Sequence, residues 1–101
     1  MIKIVLCCAA GMSTSMLVKR MQAEAQKREL NVEIIAIPAA DFAAELPTAS
    51  VVLLGPQVKY ELARFSKLAE PHGLSVAVID MMDYGTLRGD KVLDKALGLI
   101  A

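Results

Sequence analysis

Apolar positions along the chain follow two rhythms. Residues 2–7, IKIVLC, are short, β-branched and nearly all apolar, which predicts a strand covered on both faces. From residue 12 the rhythm becomes helical. Leu17, Met21 and Ala25 recur on one face while Lys19, Arg20, Glu24, Lys27 and Arg28 supply a wet one, which predicts a helix over 12–29. Further strands are predicted over 31–37, over 50–55, which is apolar throughout, and over 74–79. Pro38 and Pro47 bracket a short helix. Gly55-Pro56 turns the chain, and the fixed φ of Pro56 suits the first residue of a helix. That helix buries Val58, Leu62, Phe65 and Ala69, and Pro71 and Gly73 end it. Val92, Ala96, Leu97 and Ile100 mark a last helix.

Strands and helices thus alternate four times. Strands apolar on both faces, separated by helices, form a parallel sheet with right-handed crossovers. The expected fold is α/β: one domain over 1–101, a single four-stranded parallel sheet flanked by helices on both faces. Ligands of such sheets bind beyond the carboxyl ends of the strands. Three ends therefore matter: Cys7-Cys8, Gly55-Pro56-Gln57 and Asp80.

Composition narrows the function classes. With 101 residues, 55% of them hydrophobic, the chain suits one compact domain, and disorder is excluded. Two Phe, two Tyr and no Trp leave an aliphatic core. Eleven basic residues balance eleven acidic ones, so no basic stripe points to nucleic acid or an anionic membrane. No apolar stretch approaches the ~18 residues of a membrane span. The opening MIKIVLCCAA has one lysine and a run too short and strand-like for an export signal, so the cytoplasm is the expected compartment. Cysteines stay reduced there, and Cys7 and Cys8, being adjacent, cannot staple distant segments. With His72 as the lone histidine, four thiolate or imidazole ligands for structural zinc are lacking. Neither metal nor cofactor is expected.

The first strand end carries the chemistry. Cys7-Cys8-Ala9-Ala10-Gly11-Met12-Ser13-Thr14-Ser15 joins strand to helix. The first N–H groups of a helix lack internal partners, and the helix dipole adds positive charge, so such a turn binds anions, phosphate above all. Ala9, Ala10 and Gly11 keep side chains out of the way, and Gly11 permits an unusual φ. Met12 packs nearby or forms an apolar rim. Ser13, Thr14 and Ser15 offer hydroxyls, and Ser13 or Thr14 can cap the helix. Strand alternation gives Cys7 to the core and Cys8 to the loop. A field that holds phosphate also favours a thiolate. Cys8 therefore reads as a nucleophile beside a phosphate cradle, fit to carry a phosphoryl group on sulfur.

Known phosphate loops sharpen this. One glycine and no lysine fit neither the dinucleotide nor the Walker pattern. Tyrosine phosphatases place Arg after Cys and five residues; here that position is Thr14, so the bidentate clamp is missing. No aspartate precedes a proline, so the general acid of the small phosphatases is missing too. A site so built should hold a phosphoryl group rather than hydrolyse it.

CAAGMSTSMLVKRM (8–21), VVLLGPQVKYEL (51–62) and VIDMMDYG (78–85) together resemble the enzyme IIB component of the sugar phosphotransferase system, in its lactose/cellobiose (chitobiose) branch. The resemblance covers essentially the whole chain. It implies a sheet like that of the low-molecular-weight phosphatases, with the phosphate loop after the first strand. It implies that Cys8 takes a phosphoryl group from a phosphohistidine of the IIA component. Cys8 then passes it to a sugar, a β-linked disaccharide, in the membrane IIC component. Ala9 to Ser15 match the phosphate loop, Gly55, Pro56 and Gln57 the second motif, and Tyr60 a position where such members often carry Tyr. Cys7 departs from the family, which usually has a plain apolar residue there. The carrier is expected as a cytoplasmic monomer that visits the inner face of the membrane.

Plainer readings stand beside these. Gln57 and Tyr60 serve equally as a polar helix start and a surface ring, and Asp80 as a turn or cap residue. His72 reads as solvated, and the methionines as packing. Two other classes stay open: a small phosphatase-like hydrolase, and a regulatory module that binds phosphate without modification of Cys8.

Overall fold

The computed structural model describes residues 1–9 and 12–100, the side chains of residues 12 and 13 excepted. Four parallel strands form one sheet: β1 (Ile2–Cys8), β2 (Val32–Pro38), β3 (Val51–Leu54) and β4 (Val76–Val78). Their order is β2-β1-β3-β4. The helices are α1 (Met12–Lys27), α2 (Phe42–Glu45), α3 (Leu62–Ala69), α4 (Met81–Gly85) and α5 (Gly89–Leu99).

Alternation along β1 divides the interior in two. Ile4 and Leu6 point to one face, where Leu17 and Met21 of α1 and Val92, Leu93 and Ala96 of α5 cover them. Val5 and Cys7 point to the other, into a cluster with Phe42, Val58, Phe65 and Ala69. Phe42 and Phe65 stack there, ring centroids 3.9 Å apart and planes within 4°. The expected parallel sheet with helices on both faces is present, and the helical stripe of Leu17, Met21 and Ala25 is buried.

Three elements differ from expectation. The segment after Pro56 begins as a 3-10 turn over Pro56–Glu61 and becomes α-helical only at Leu62. The break lies at Val58, whose φ of −116° and ψ of 24° leave the helical region while its side chain stays buried. The fourth strand is shorter than 74–79, because as an edge strand it pairs with β3 alone. The short helix α4 was not expected. Five residues carry no readable period, and its start is set by Asp80, whose Oδ2 accepts N–H bonds from Met82 (3.0 Å) and Asp83 (3.1 Å).

α1 and α5 meet through a glycine. A Cβ on Gly89 would lie 2.6 Å from the carbonyl carbon of Arg20 and 2.7 Å from the Met21 nitrogen. These are backbone atoms, so the helices would have to separate. Overpacking of this kind costs about 1–3 kcal/mol. Gly89→Ala is expected to lower unfolding stability by that order in a urea titration; an unchanged midpoint would show that the helix crossing yields freely.

Candidate active site

The carboxyl end of the sheet gathers residues from three strand connections. β1 is interior, paired with β2 and β3, so its last residue emerges in the middle of that end. Register sets Cys7 beside Ile37 and Leu54, and Cys8 beside Pro38. Successive side chains of a strand point to opposite faces. Cys7 is therefore enclosed in the Phe42 and Phe65 core, and Cys8 closes the strand with 2% of its surface exposed. Neither forms a disulfide. Burial pushes the Cys7 thiol up to about 12, and the neighbouring Cys8 and Glu45 add to the rise. Glu45 is itself held by Lys3 at 2.6 Å. Cys7 is thus a packing residue that stays protonated.

Gly55 links the second strand end to the first. Its N–H donates to the Cys7 carbonyl at 2.8 Å. A Cβ on Gly55 would lie 3.5 Å from the Cys8 Cβ and 2.7 Å from Gln57 Oε1. The Gln57 side chain folds back over Gly55, with Oε1 in the space that a Cβ would take. Gln57 Nε2 in turn donates to the Tyr84 hydroxyl at 3.1 Å, which brings in the connection after β4. Cys8, Gly55, Gln57 and Tyr84 therefore form one group.

Thr14 lies in the first turn of α1, six residues beyond Cys8. It is fully buried, and its Oγ1 has no hydrogen-bond partner among the described residues. An orphaned buried hydroxyl costs about 1–3 kcal/mol, and such groups are rare enough in native proteins to need a reason. The turn Met12-Ser13-Thr14-Ser15 contains no acidic residue, so nothing offsets the positive end of this 16-residue helix.

The remaining expected residues fall as follows. Ala9 and Ser15 are exposed. Ala10 and Gly11, and the side chains of Met12 and Ser13, lie outside the described residues, and with them much of the expected phosphate loop. Asp80 is committed to capping α4. Tyr60 is 75% exposed, and no hydrogen bond joins it to the group. Tyr84 was missed by sequence reasoning. Its signal is indirect: Asp80 as a cap starts a turn that carries the residue four positions on, and the Tyr84 N–H bonds the Asp80 carbonyl at 2.9 Å. Among the described residues no three His, Cys, Asp or Glu side chains gather as a metal site, and no helix is long and apolar enough to cross a membrane.

Comparison with known proteins adds to this geometry. The family model described as "PTS system, Lactose/Cellobiose specific IIB subunit" matches residues 3–95. The chain is 46% identical over 102 residues to the PTS system galactose-specific EIIB component of Lactococcus lactis subsp. cremoris, covering 96% of this chain and 94% of that one. It is likewise 46% identical over 102 residues, with the same coverage, to the PTS system cellobiose-specific EIIB component of Lactococcus lactis subsp. lactis. The solved lactose-specific IIB domain from Streptococcus pneumoniae superposes with a TM-score of 0.88 over 97% of this chain and 96% of that one, at 20% identity, a likeness of fold.

The raised Cys7 thiol has a pH consequence. Its pKa is near 9.0 in the unfolded chain and about 12 in the folded one. Below 9 both states hold the proton and stability is intact; between 9 and 12 the unfolded chain releases it first, so stability falls. Cys7→Ala is expected to remove that share of the alkaline loss when unfolding curves of the two proteins are compared at pH 8 and pH 11. An equal loss in both would show that Cys7 is not the buried thiol described.

Proposed function

The chain belongs to the lactose/cellobiose-specific IIB subunit family of the PTS, and from that premise we propose that Cys8 carries a phosphoryl group between two partner proteins. The observation that supports this most is the orphaned Thr14 hydroxyl, buried at the head of the helix that Cys8 leads into. It occupies the position where a phosphatase would hold arginine. An oxygen of a phosphoryl group on Cys8 gives it a partner.

In the first transfer the Cys8 thiolate attacks the phosphorus of a phosphohistidine on a IIA component. The S–P bond forms as the P–N bond breaks, and the electron pair leaves on the imidazole nitrogen. In the second, a sugar hydroxyl held by a membrane IIC component attacks the same phosphorus. The O–P bond forms, the S–P bond breaks, the hydroxyl proton passes to the partner's base or to water, and the thiolate returns. The backbone N–H groups of Ala9 to Ser15 and the dipole of α1 hold the phosphoryl oxygens, so catalysis is positioning and charge stabilisation. No step draws on a cofactor.

Lack of arginine suits a carrier, which must keep the group from water until its acceptor arrives. Exposed Tyr60, Met81 (67%) and Met82 (72%) flank this end of the sheet and give an apolar rim for successive transient partners. The chain works as a cytoplasmic monomer that visits the inner face of the membrane. Relatives equally similar to it bear galactose and cellobiose in their names, so sugar choice is assigned to the membrane component. A β-linked disaccharide remains the expected cargo.

The test is phosphorylation by phosphoenolpyruvate, the general phosphotransfer proteins and a IIA component, read as intact mass. Wild type and Cys7→Ser are expected to gain one phosphoryl group and Cys8→Ser none; a gain in Cys8→Ser would contradict the reading. Thr14→Val removes the orphaned hydroxyl at nearly constant shape. It is expected to leave stability unchanged or raised, because a buried polar group without a partner disappears. It should slow phosphorylation roughly ten- to a hundredfold, the worth of one hydrogen bond to a charged group. Full activity in Thr14→Val would remove the hydroxyl from the site.

A further inference from the structure

The order β2-β1-β3-β4 leaves β2 and β4 outermost, and among the described residues no further strand pairs with either. An open edge presents a row of backbone N–H and C=O groups with which another chain can pair. β4 is wholly apolar, Val76-Ala77-Val78, and all three residues are half-buried. Its ladder fixes which groups face outward. The Val52 N–H donates to the Ser75 carbonyl at 3.1 Å, and the Ile79 N–H to the Leu54 carbonyl at 2.8 Å. Register sets Val52 beside Val76 and Leu54 beside Val78. The bonds to β3 therefore belong to the residues flanking these two, and Val76 and Val78 turn their N–H and C=O groups to the open side.

A charged side chain meets that row. Lys95 reaches across from α5, and its Nζ donates to the Val78 carbonyl at 2.7 Å. Val92, Leu93 and Ala96 anchor α5 on the sheet, while Lys95 itself stays exposed. The other edge has a counterpart. The Cys7 carbonyl accepts from Gly55 on the β3 side, so Ile4 and Leu6 bond toward β2. Register sets Ile4 beside Ile34, which by the same geometry turns outward. Gln22 of α1 donates through Nε2 to the Ile34 carbonyl at 3.1 Å. The strand then ends on Pro38, which has no N–H to offer.

From this pattern we infer that Lys95 guards the open edge of β4 against pairing with β4 of a second copy of the chain, as Gln22 and Pro38 guard β2. Two identical edge strands meet about a two-fold axis, so both copies would bring a Lys95 to the seam. The Val78 carbonyl would have to exchange the ammonium for an N–H of the other copy. The displaced charge would then lie against apolar strand, and enclosing a charge without a partner is costly. Asp94, its neighbour in the chain, is already held by Arg28 at 2.6 Å. The inference concerns assembly alone and stands apart from the phosphoryl chemistry of Cys8.

The experiment is sedimentation equilibrium up to about 1 mM protein, where weak specific association is still visible, joined to amide exchange read residue by residue. The chains are wild type, Lys95→Met, Lys95→Arg and Lys91→Met. Met is about as good a helix former as Lys, so Lys95→Met keeps α5 and the length of the stem while losing the charge and the donor. Lys91→Met adds the same apolar side chain at another exposed position of that helix. Lys95→Met is expected to associate at least about tenfold more strongly than wild type. Exchange of the Val76 and Val78 N–H groups should slow as it does so, because they become paired. Lys95→Arg and Lys91→Met should sediment as wild type does. A Lys95→Met chain no more associated than wild type would overturn the inference. So would association that leaves exchange at Val76 and Val78 unchanged, or equal association of Lys91→Met, either of which would mark a general apolar patch instead of strand pairing.

Discussion

β1 is hydrogen-bonded on both sides, and its side chains from Ile4 to Cys8 are buried on both faces. Everything else at the functional end depends on that strand being fixed. It separates two apolar clusters, sends Cys7 into one of them, and delivers Cys8 to the middle of the carboxyl edge. A strand pinned this way cannot slip by one residue without exchanging Ile4 and Leu6 with Val5 and Cys7 across the sheet. Register is therefore what distinguishes two chemically identical neighbours. The same constraint fixes the backbone carbonyl of Cys7, which accepts the Gly55 N–H and draws the β3 connection against the site.

On that frame the site uses weak, neutral groups. The described residues at this end of the sheet include the buried Thr14 hydroxyl and the Gln57 carboxamide, which is bonded to Tyr84. Neutral groups of this kind suit the proposed carrier, which would accept and release the same group. A strongly bound phosphoryl would make a good acceptor and a poor donor, since binding that favours the intermediate slows its departure. In the proposed carrier, the exposed Tyr60, Met81 and Met82 side chains would serve transient docking.

Much of this was legible in the sequence because it is periodic or local. Runs apolar on both faces and alternating with helices can only form a covered parallel sheet, and strand alternation separates Cys7 from Cys8 by itself. The glycine of Gly55-Pro56 and the cap residue Asp80 also stand out locally. What stayed hidden depends on contacts distant in sequence. Five residues of α4 have no period to read. The bond from Gln57 to Tyr84 spans 27 positions, and no pattern within either segment announces it. That Thr14 is buried, its hydroxyl without a partner among the described residues, is not readable from the local pattern. Tyr60, which the sequence offered as a surface ring or a site neighbour, is 75% exposed.

The most direct measurement is the location of the phosphoryl group in the wild-type chain. After phosphorylation by phosphoenolpyruvate, the general phosphotransfer proteins and a IIA component, tryptic peptides are fragmented in a mass spectrometer under conditions that preserve S–P and N–P bonds. Both cysteines fall in the peptide Ile4–Lys19, where a single backbone break distinguishes them, and His72 falls in Leu68–Arg88. The phosphoryl group is expected on Cys8 alone. Its presence on Cys7 or His72, or an unmodified chain beside a fully phosphorylated IIA component, would contradict the carrier mechanism.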